Sequence, residues 1–390
     1  MAVLNRIADF AEDMTAWRRD IHAHPEIGFE EHRTSAIVAE KLESWGIAVT
    51  RNIAGTGLVG TLKVGDSSRA IGLRADMDAL PMDEAGDIPH RSQIAGRMHG
   101  CGHDGHTTML LGAARYLAET RNFDGTVNFI FQPAEEGGGG GRIMVEEGLF
   151  ERFPCDQVFG IHNDSALPVG TMGIQPGTVN AASDRISIHI TGVGGHAARP
   201  HNSIDPVVVG AHIVIALQTL VARRIDPIES AVLSLTQFHA GSAGNVIPET
   251  GWLNGTVRTL KPHVQDRMEE LIIKIATTTA AAHGAEAVVE YERGYPPVVN
   301  AEPPCVRAAM AAEKVLGAGK IVSGLPPRMG GEDFSYMAIA RPGCFARIGQ
   351  AGAEKGRVPA HNPKYDFNDE ILPIGASYWA TLVEQELVRG

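Results

Sequence analysis

The sequence predicts an α/β protein with a mostly parallel sheet, interrupted by an inserted ferredoxin-like α+β domain. Three observations predict it. Up to about residue 180, short apolar runs rich in β-branched residues alternate with helical patterns, the signature of a sheet covered on both faces. Near residue 181 the rhythm changes, because Arg185 to Thr191 alternates polar with apolar residues as a half-exposed antiparallel strand does. From Glu302 onward the α/β pattern returns.

Residues 4 to 20 place Leu4, Ile7, Phe10, Ala11, Met14 and Trp17 at helical spacing, and Ser35 to Trp45 repeats the pattern before Gly46. Strands are expected over Leu58 to Val64, Ala70 to Leu73, Thr126 to Phe131 and Val158 to Ile161, with a helix over Thr107 to Thr120. Polar segments follow three of these strands directly: Arg74 to Asp78, Gln132 to Glu136 and His162 to Asp164. Ligands of open α/β sheets bind at the carboxyl ends of strands, so these segments are candidates for one site. In the middle third, a strand through Arg185 to Thr191, a helix over Ile204 to Val221, strands over Ala231 to His239 and Gly251 to Leu260, a helix over Val264 to Ala282 and a strand over Ala285 to Glu292 read as β-α-β-β-α-β. Residues 181–296 are thus an insert between 1–180 and 297–390, whose last part carries helices near Pro304 to Leu316 and Ile374 to Val388.

Composition narrows the function. The 390 residues, 44% hydrophobic and 21% charged, exclude wholesale disorder and leave room for two or three domains. The formal charge of −12, with no basic run, argues against nucleic acid and against an anionic membrane surface. Cys101, Cys155, Cys305 and Cys344 show no disulfide-framework spacing, and no stretch reads as a signal peptide or a membrane span, so a reduced, cytoplasmic protein is expected.

The chemistry concentrates in a few segments. Met98 to His106 crowds a thiol and three imidazoles between glycines; thiolate and imidazole are preferred ligands of zinc and related metals, which makes Cys101 and His103 the first candidate ligands. The strand Thr126 to Phe131 runs into the adjacent carboxylates Glu135 and Glu136. Their repulsion is relieved if one binds a cation while the other acts as general base on a metal-activated water. His162 and His361 are single histidines that would bring the protein ligands to five, more than one closed tetrahedral ion requires, which points to a two-metal site. Asp76 and Asp78 are placed to hold a ligand imidazole by its other nitrogen, or to be ligands themselves. Gly192 to Ala197 fits a dinucleotide-binding pattern, but the prolines Pro200 and Pro206 stand where that motif needs its helix. His196, in this glycine turn, is instead an exposed imidazole able to donate to an oxyanion when its domain closes. Gly137 to Gly141 has no Lys-Ser/Thr after it and is not a phosphate loop.

These pieces, with HAHPEIGFEE (His22 to Glu31), LRADMDALP (Leu73 to Pro81), FQPAEE (Phe131 to Glu136), GGHAARPHNSIDP (Gly194 to Pro206), NVIPE (Asn245 to Glu249), GGEDFSY (Gly330 to Tyr336) and HNPKYDFND (His361 to Asp369), resemble the metal-dependent aminoacylase and carboxypeptidase family. The resemblance is to its branch of hippurate hydrolases, N-acyl-amino-acid amidohydrolases and auxin-conjugate hydrolases, and it runs over nearly the whole chain. It implies that Cys101, His103, Glu136, His162 and His361 bind two divalent ions and that Glu135 is the catalytic base. It also implies that the insert is a dimerisation or lid domain in a homodimer or dimer of dimers, with His196 reaching the partner's site. Asn245, Arg258, Gly330 and Gly331 match the family's substrate-contacting segments, Arg258 as a partner for the substrate carboxylate. The family's carboxypeptidase branches use a His before the Met-Asp pair and an Asp as bridging ligand. Asp76 stands at that His position here, so their metal preference does not transfer.

The expected activity is hydrolysis of the amide of an N-acyl amino acid, hippurate-like, N-acetyl or indoleacetyl. The mixed donor set is compatible with zinc or manganese first, and with cobalt or nickel. The rival activities are a dipeptidase or carboxypeptidase on the same site, with Glu332 as partner for a free amine, and a metal-binding module without catalysis.

Overall fold

The computed structural model describes residues 1–389, which divide into two compact units: 1–177 with 299–326 and 333–389, and 178–298 with 327–332.

The first unit is built on an eight-stranded sheet in the spatial order Ala48–Ile53, Gly57–Val64, Gly125–Gln132, Ala70–Asp76, Gln157–Pro168, Gly343–Ala351, Met172–Gly173 and Ile321–Val322. The middle pairings are parallel, whereas the first two and the contact of Gly343–Ala351 with Met172–Gly173 are antiparallel. Every residue of Ala70–Asp76 is buried, as expected of a strand enclosed on both faces. Alternation divides its side chains: Ile71, Leu73 and Ala75 join Phe129, Phe131, Phe159 and Ile161 in one core, while Arg74 points to the other face. That core is closed by the helices Ala11–Ala23, His32–Ser44, His103–Thr120, Glu302–Leu316 and Leu372–Glu386.

Four strands of this sheet differ from the expectation: the two-residue strands Met172–Gly173 and Ile321–Val322, and two longer ones. Ala48–Ile53 carries an exposed, charged edge, and Gly343–Ala351 (GCFARIGQA) mixes glycines, Arg347 and Gln350 into its apolar residues. It is nonetheless almost wholly buried, because Arg347 donates to the Pro326 carbonyl and Asn300 bonds Phe345 through both its amide groups. The expected single N-terminal helix is two, Asn5–Asp9 and Ala11–Ala23, broken where Phe10 leaves helical geometry (φ −118°, ψ 22°).

The second unit carries a four-stranded antiparallel sheet in the order Ala231–Ala240, Thr250–Thr259, Ala182–Thr191 and Glu286–Tyr295, with the helices Pro206–Arg224 and Pro262–Ala282 packed on it. Chain order β-α-β-β-α-β with spatial order 2-3-1-4 is the ferredoxin-like arrangement. Ile186, Ile188 and Ile190 face the two helices while Arg185, His189 and Thr191 are exposed, so the alternation read from the sequence is what places this strand.

One expectation needs correcting. Pro206–Arg224 is long and apolar enough, by length and composition, to cross a membrane, although the sequence reading found no such stretch. Its inner face (Val209, Ile213, Leu217 and Leu220) fills the core of the second unit, while Val207, Val208 and Ile215 lie exposed on its outside. The Asp205 carboxylate caps its start by accepting from the Val207 N–H.

Candidate metal centre

Three neighbouring strands of the first unit deliver the site, two of them from beyond their carboxyl ends. Ala70–Asp76 leads into Asp78, Gly125–Gln132 leads into Glu135 and Glu136, and His162 lies within Gln157–Pro168. A glycine-bounded turn, Gly100 to Gly102, then starts the helix His103–Thr120, and the segment carrying His361 is laid alongside. Gly102 has φ 102°, and a Cβ there would meet Asn163 Oδ1 at 2.3 Å; a Cβ on Gly105 would meet the Phe367 ring at 2.2 Å. These glycines are therefore required for the two segments to touch. The His361 N–H donates to the Gly100 carbonyl (2.7 Å), which ties His361 to the chain immediately before Cys101.

The five candidate ligands and Glu135 come together. The donor atoms of Cys101, His103 and His162 lie within 4.8 Å of one another, and so do those of Cys101, Glu136 and His361 and those of His103, Glu135 and Glu136. Cys101 Sγ is 3.3 Å from His162 Nε2, and His361 Nε2 is 3.0 Å from Glu136 Oε1. The first two triads share the Cys101 sulfur. The arrangement therefore has two overlapping donor sets rather than one closed tetrahedron.

Surrounding polar groups fix the orientations. His103 Nδ1 faces the Asp78 carbonyl (2.9 Å) and Oδ1 (3.1 Å), while Asp78 Oδ2 accepts from the Glu136 N–H (2.9 Å), so one carboxylate locks an imidazole and a neighbouring acid together. His162 Nδ1 is held by the Asn163 carbonyl at 2.8 Å. Asp76 holds His106 Nδ1 (2.6 Å) and Arg74 (2.7 Å) and stands 3.7 Å from His103 Nε2. Both nitrogens of His106 are hydrogen-bonded, the second to Asn163 Oδ1 at 2.7 Å, which makes it a structural imidazole.

The residues fit a pair of divalent ions. His103 Nε2 is buried without a hydrogen-bond partner among the described residues, an arrangement that costs about 1–3 kcal/mol unless something else engages it. Burial, reinforced by Glu136, pushes the Cys101 thiol up to about 12. Burial opposes protonation of His103, yet Asp76 and Cys101 outweigh it and hold the imidazole well above its ordinary value. Hydrogen bonding to Glu136 likewise raises His361. Cations bind such donors by displacing their protons.

Sequence reasoning missed the supports. Arg74 bonds Gln132 (2.8 Å), Asp76 and Asp333 (3.1 Å), and Asp333 also accepts from the Gly141 N–H (2.8 Å). The signal is present in the sequence, since Asp333 belongs to the GGEDFSY segment, of which only the glycines and Glu332 were given roles. The HAHPEIGFEE segment was also given no role, yet Glu31 accepts from the Ala134 N–H (2.8 Å), directly before Glu135, and from the Thr56 hydroxyl.

The remaining candidates belong to the second unit. His196 pairs with Val246 in a two-residue ladder, is exposed, and accepts the Ala198 N–H on Nδ1 (3.1 Å), the tautomer that leaves Nε2–H outward as a donor. Asn245 is the next residue along, its carbonyl accepting from the Ala197 N–H (3.1 Å). Arg258 is half-buried on Thr250–Thr259, bonded to the Thr256 hydroxyl and the Val257 carbonyl, and burial lowers its pKa. The Gly330 carbonyl accepts from Asn180, and Gly331 lies where a Cβ would meet that of Ser183 at 2.9 Å.

The chain is similar to known proteins over nearly its whole length. The sequence pattern described as "Peptidase family M20/M25/M40" matches residues 72–385. The chain is 39% identical to a hippurate hydrolase of Campylobacter jejuni over 98% of both chains. It is 40% identical to IAA-amino acid hydrolase ILR1-like 2 of Arabidopsis thaliana over 96% of this chain and 85% of that one. Among solved structures, a Bacillus subtilis protein described as a dinuclear metal-binding peptidase of the M20 family superimposes with a TM-score of 0.85 at 33% identity, covering 97% of this chain and 99% of that one.

Proposed function

Because the chain is a metal-dependent amidohydrolase belonging to peptidase family M20/M25/M40, we propose that it cleaves the amide between an acyl group and the α-nitrogen of an amino acid, releasing a carboxylic acid and the free amino acid. The observation that carries this reading is the convergence of two donor triads on the Cys101 sulfur with Glu135 beside them. Two divalent ions held by Cys101, His103, Glu136, His162 and His361 supply Lewis acidity and acidify water; the donor set suits zinc or manganese, and cobalt or nickel also.

The chain's own residues do the rest. A Glu135 carboxylate oxygen takes the proton of the attacking water and hands it to the departing α-nitrogen, so one buried base serves both halves of the reaction. Asp78 keeps that carboxylate's neighbour and His103 in register through its two oxygens. His196 Nε2–H stabilises the oxyanion, and Arg258 takes the substrate carboxylate with Asn245 and the backbone N–H groups of Gly330 and Gly331.

We further propose a homodimer. The strand Ala231–Ala240 is an edge of its sheet, and Val207, Val208 and Ile215 form an exposed apolar face on the neighbouring helix, a combination that a second copy covers economically.

The test is amine release from hippurate, N-acetylmethionine, an indoleacetyl amino acid and two unblocked dipeptides, with chelated chain and single metals restored. Metal-dependent cleavage of acylated members is expected. Cleavage of the dipeptides alone replaces the reading with a peptidase, and silence with metal bound replaces it with a non-catalytic role.

A further inference from the structure

Resting on the metal-centre reading above, we infer that Arg18 is a positioning residue that sets the separation between two of the segments supplying the ligands, the one carrying Cys101 and His103 and the one carrying His361. Arg18 is fully buried on the helix Ala11–Ala23, far in sequence from every candidate ligand. Its Nε lies 3.1 Å from Asp104, the residue that follows His103, and 3.4 Å from Asp369. Its Nη2 bonds the Asp366 carboxylate and the Phe367 carbonyl (3.0 Å), and its guanidinium lies over the Phe367 ring, 5.7 Å from the centroid. One planar cation therefore holds the start of the helix His103–Thr120 on one side and the segment following His361 on the other.

The rest of the cluster makes this a clamp rather than a lone ion pair. Asp104 is fully buried and also faces His22 Nδ1 (2.8 Å), whose other nitrogen points to Glu84 at 3.4 Å. Asp366 also meets His90 (3.0 Å), and Asp369 meets Arg19 (2.9 Å). Phe367, held by Arg18, packs where Gly105 has no side chain. Beyond this cluster, a backbone hydrogen bond from the His361 N–H to the Gly100 carbonyl ties the two segments directly. That bond fixes the backbone at one point, and Arg18 fixes it at a second, which is what an orientation requires. A lysine keeps the charge but has no fork with which to serve Asp104 and Asp366 together.

The test uses the full-length, metal-stripped chain and cobalt(II) as the probe, following the thiolate-to-cobalt charge-transfer band during titration and measuring kcat and KM on the cleaved acyl substrate. Arg18→Lys and the gentler Asp366→Asn are expected to weaken cobalt binding about 10- to 100-fold and to lower kcat with little change in KM. Met14→Ala, on the same helix but against Gly112, removes core packing without touching the clamp and is expected to bind cobalt like the parent chain. Parental cobalt affinity in both clamp variants overturns the inference and leaves the metal centre standing. Equal weakening in Met14→Ala also overturns it, by tracing the effect to general stability. A parent chain with no saturable cobalt uptake overturns the metal centre and the clamp together.

Discussion

The two sheets of this chain treat their polar residues in opposite ways. In the eight-stranded sheet the central strands are enclosed on both faces, and the charged groups at their ends are paired: Arg74 meets Gln132, Asp76 and Asp333, and Asp78 meets His103 and the Glu136 N–H. In the four-stranded sheet the helices cover one face, so His189 and Glu290 lie exposed on the other, and the functional candidate His196 sits on an exposed turn. The difference teaches where precision resides. Groups that must hold an ion or a proton at a fixed distance are built into the buried sheet, where few rearrangements are available. A group that only needs to donate one hydrogen bond when substrate arrives can stand on a solvated turn.

The largest effect should therefore come from the buried side. Glu135→Ala removes the base and leaves the five ligands in place, so turnover should fall about 10²- to 10⁴-fold while metal content, measured by elemental analysis, stays at the parental value. An active Glu135→Ala chain breaks the comparison, because it would show that the buried acid pair is only a ligand set. His196→Ala should cost somewhat less, about 10²- to 10³-fold, the scale for one oxyanion donor. If that donor crosses between copies, mixing His196→Ala with Glu135→Ala chains should restore part of the activity, since one hybrid site is then intact. Ile215→Asp, placing a charge on the exposed apolar helix face, should abolish the recovery and shift the sedimentation coefficient to the monomer's. No recovery from verified mixed dimers would put His196 in the site of its own chain.

The same contrast explains what was legible in the sequence. The second unit could be read element by element, because alternation in Arg185 to Thr191 and helical spacing in Val264 to Ala282 record one buried and one solvated face. In the first unit the enclosed strands erase that alternation. Leu58 to Val64 survives as an apolar run, but Gly343–Ala351 is buried through hydrogen bonds of Arg347 and Asn300 that no local pattern encodes. The candidate ligands were legible because thiol, imidazole and adjacent carboxylates are rare together and stand beside glycines. Their supports were not, since Arg18 to Asp366 and Arg74 to Asp333 span hundreds of residues, and neither Arg nor Asp announces burial. The family resemblance supplied roles for ligands and base, while the contacts of Arg18, Glu31 and Asp333 required the fold.

The smallest expected effect sharpens the comparison by asking how the buried unit tolerates an acid with few donors. Glu31 is fully buried, and its carboxylate accepts only from the Ala134 N–H and the Thr56 hydroxyl among the described hydrogen bonds. Burial, partly offset by the Thr56 bond, pushes it up to about 7 from an ordinary value of 4.5. A raised acid is a proton that the folded chain holds more tightly than the unfolded one. Its stabilising contribution is complete below pH 4.5 and is lost as the pH rises through 7, where the folded chain must carry an ionised buried carboxylate. The full shift corresponds to at most about 3 kcal/mol, or a few degrees of melting temperature in a chain of this size. Glu31→Gln, which keeps the shape and never ionises, should remove that slope: the melting temperature of the variant relative to the parent should climb between pH 4.5 and 7 and level off above it. A constant offset across this range would mean that Glu31 is ionised throughout. The acid before the Glu135 turn would then be held as a charge by its two donors, and the buried unit would pair its charges here as closely as it does at Arg74.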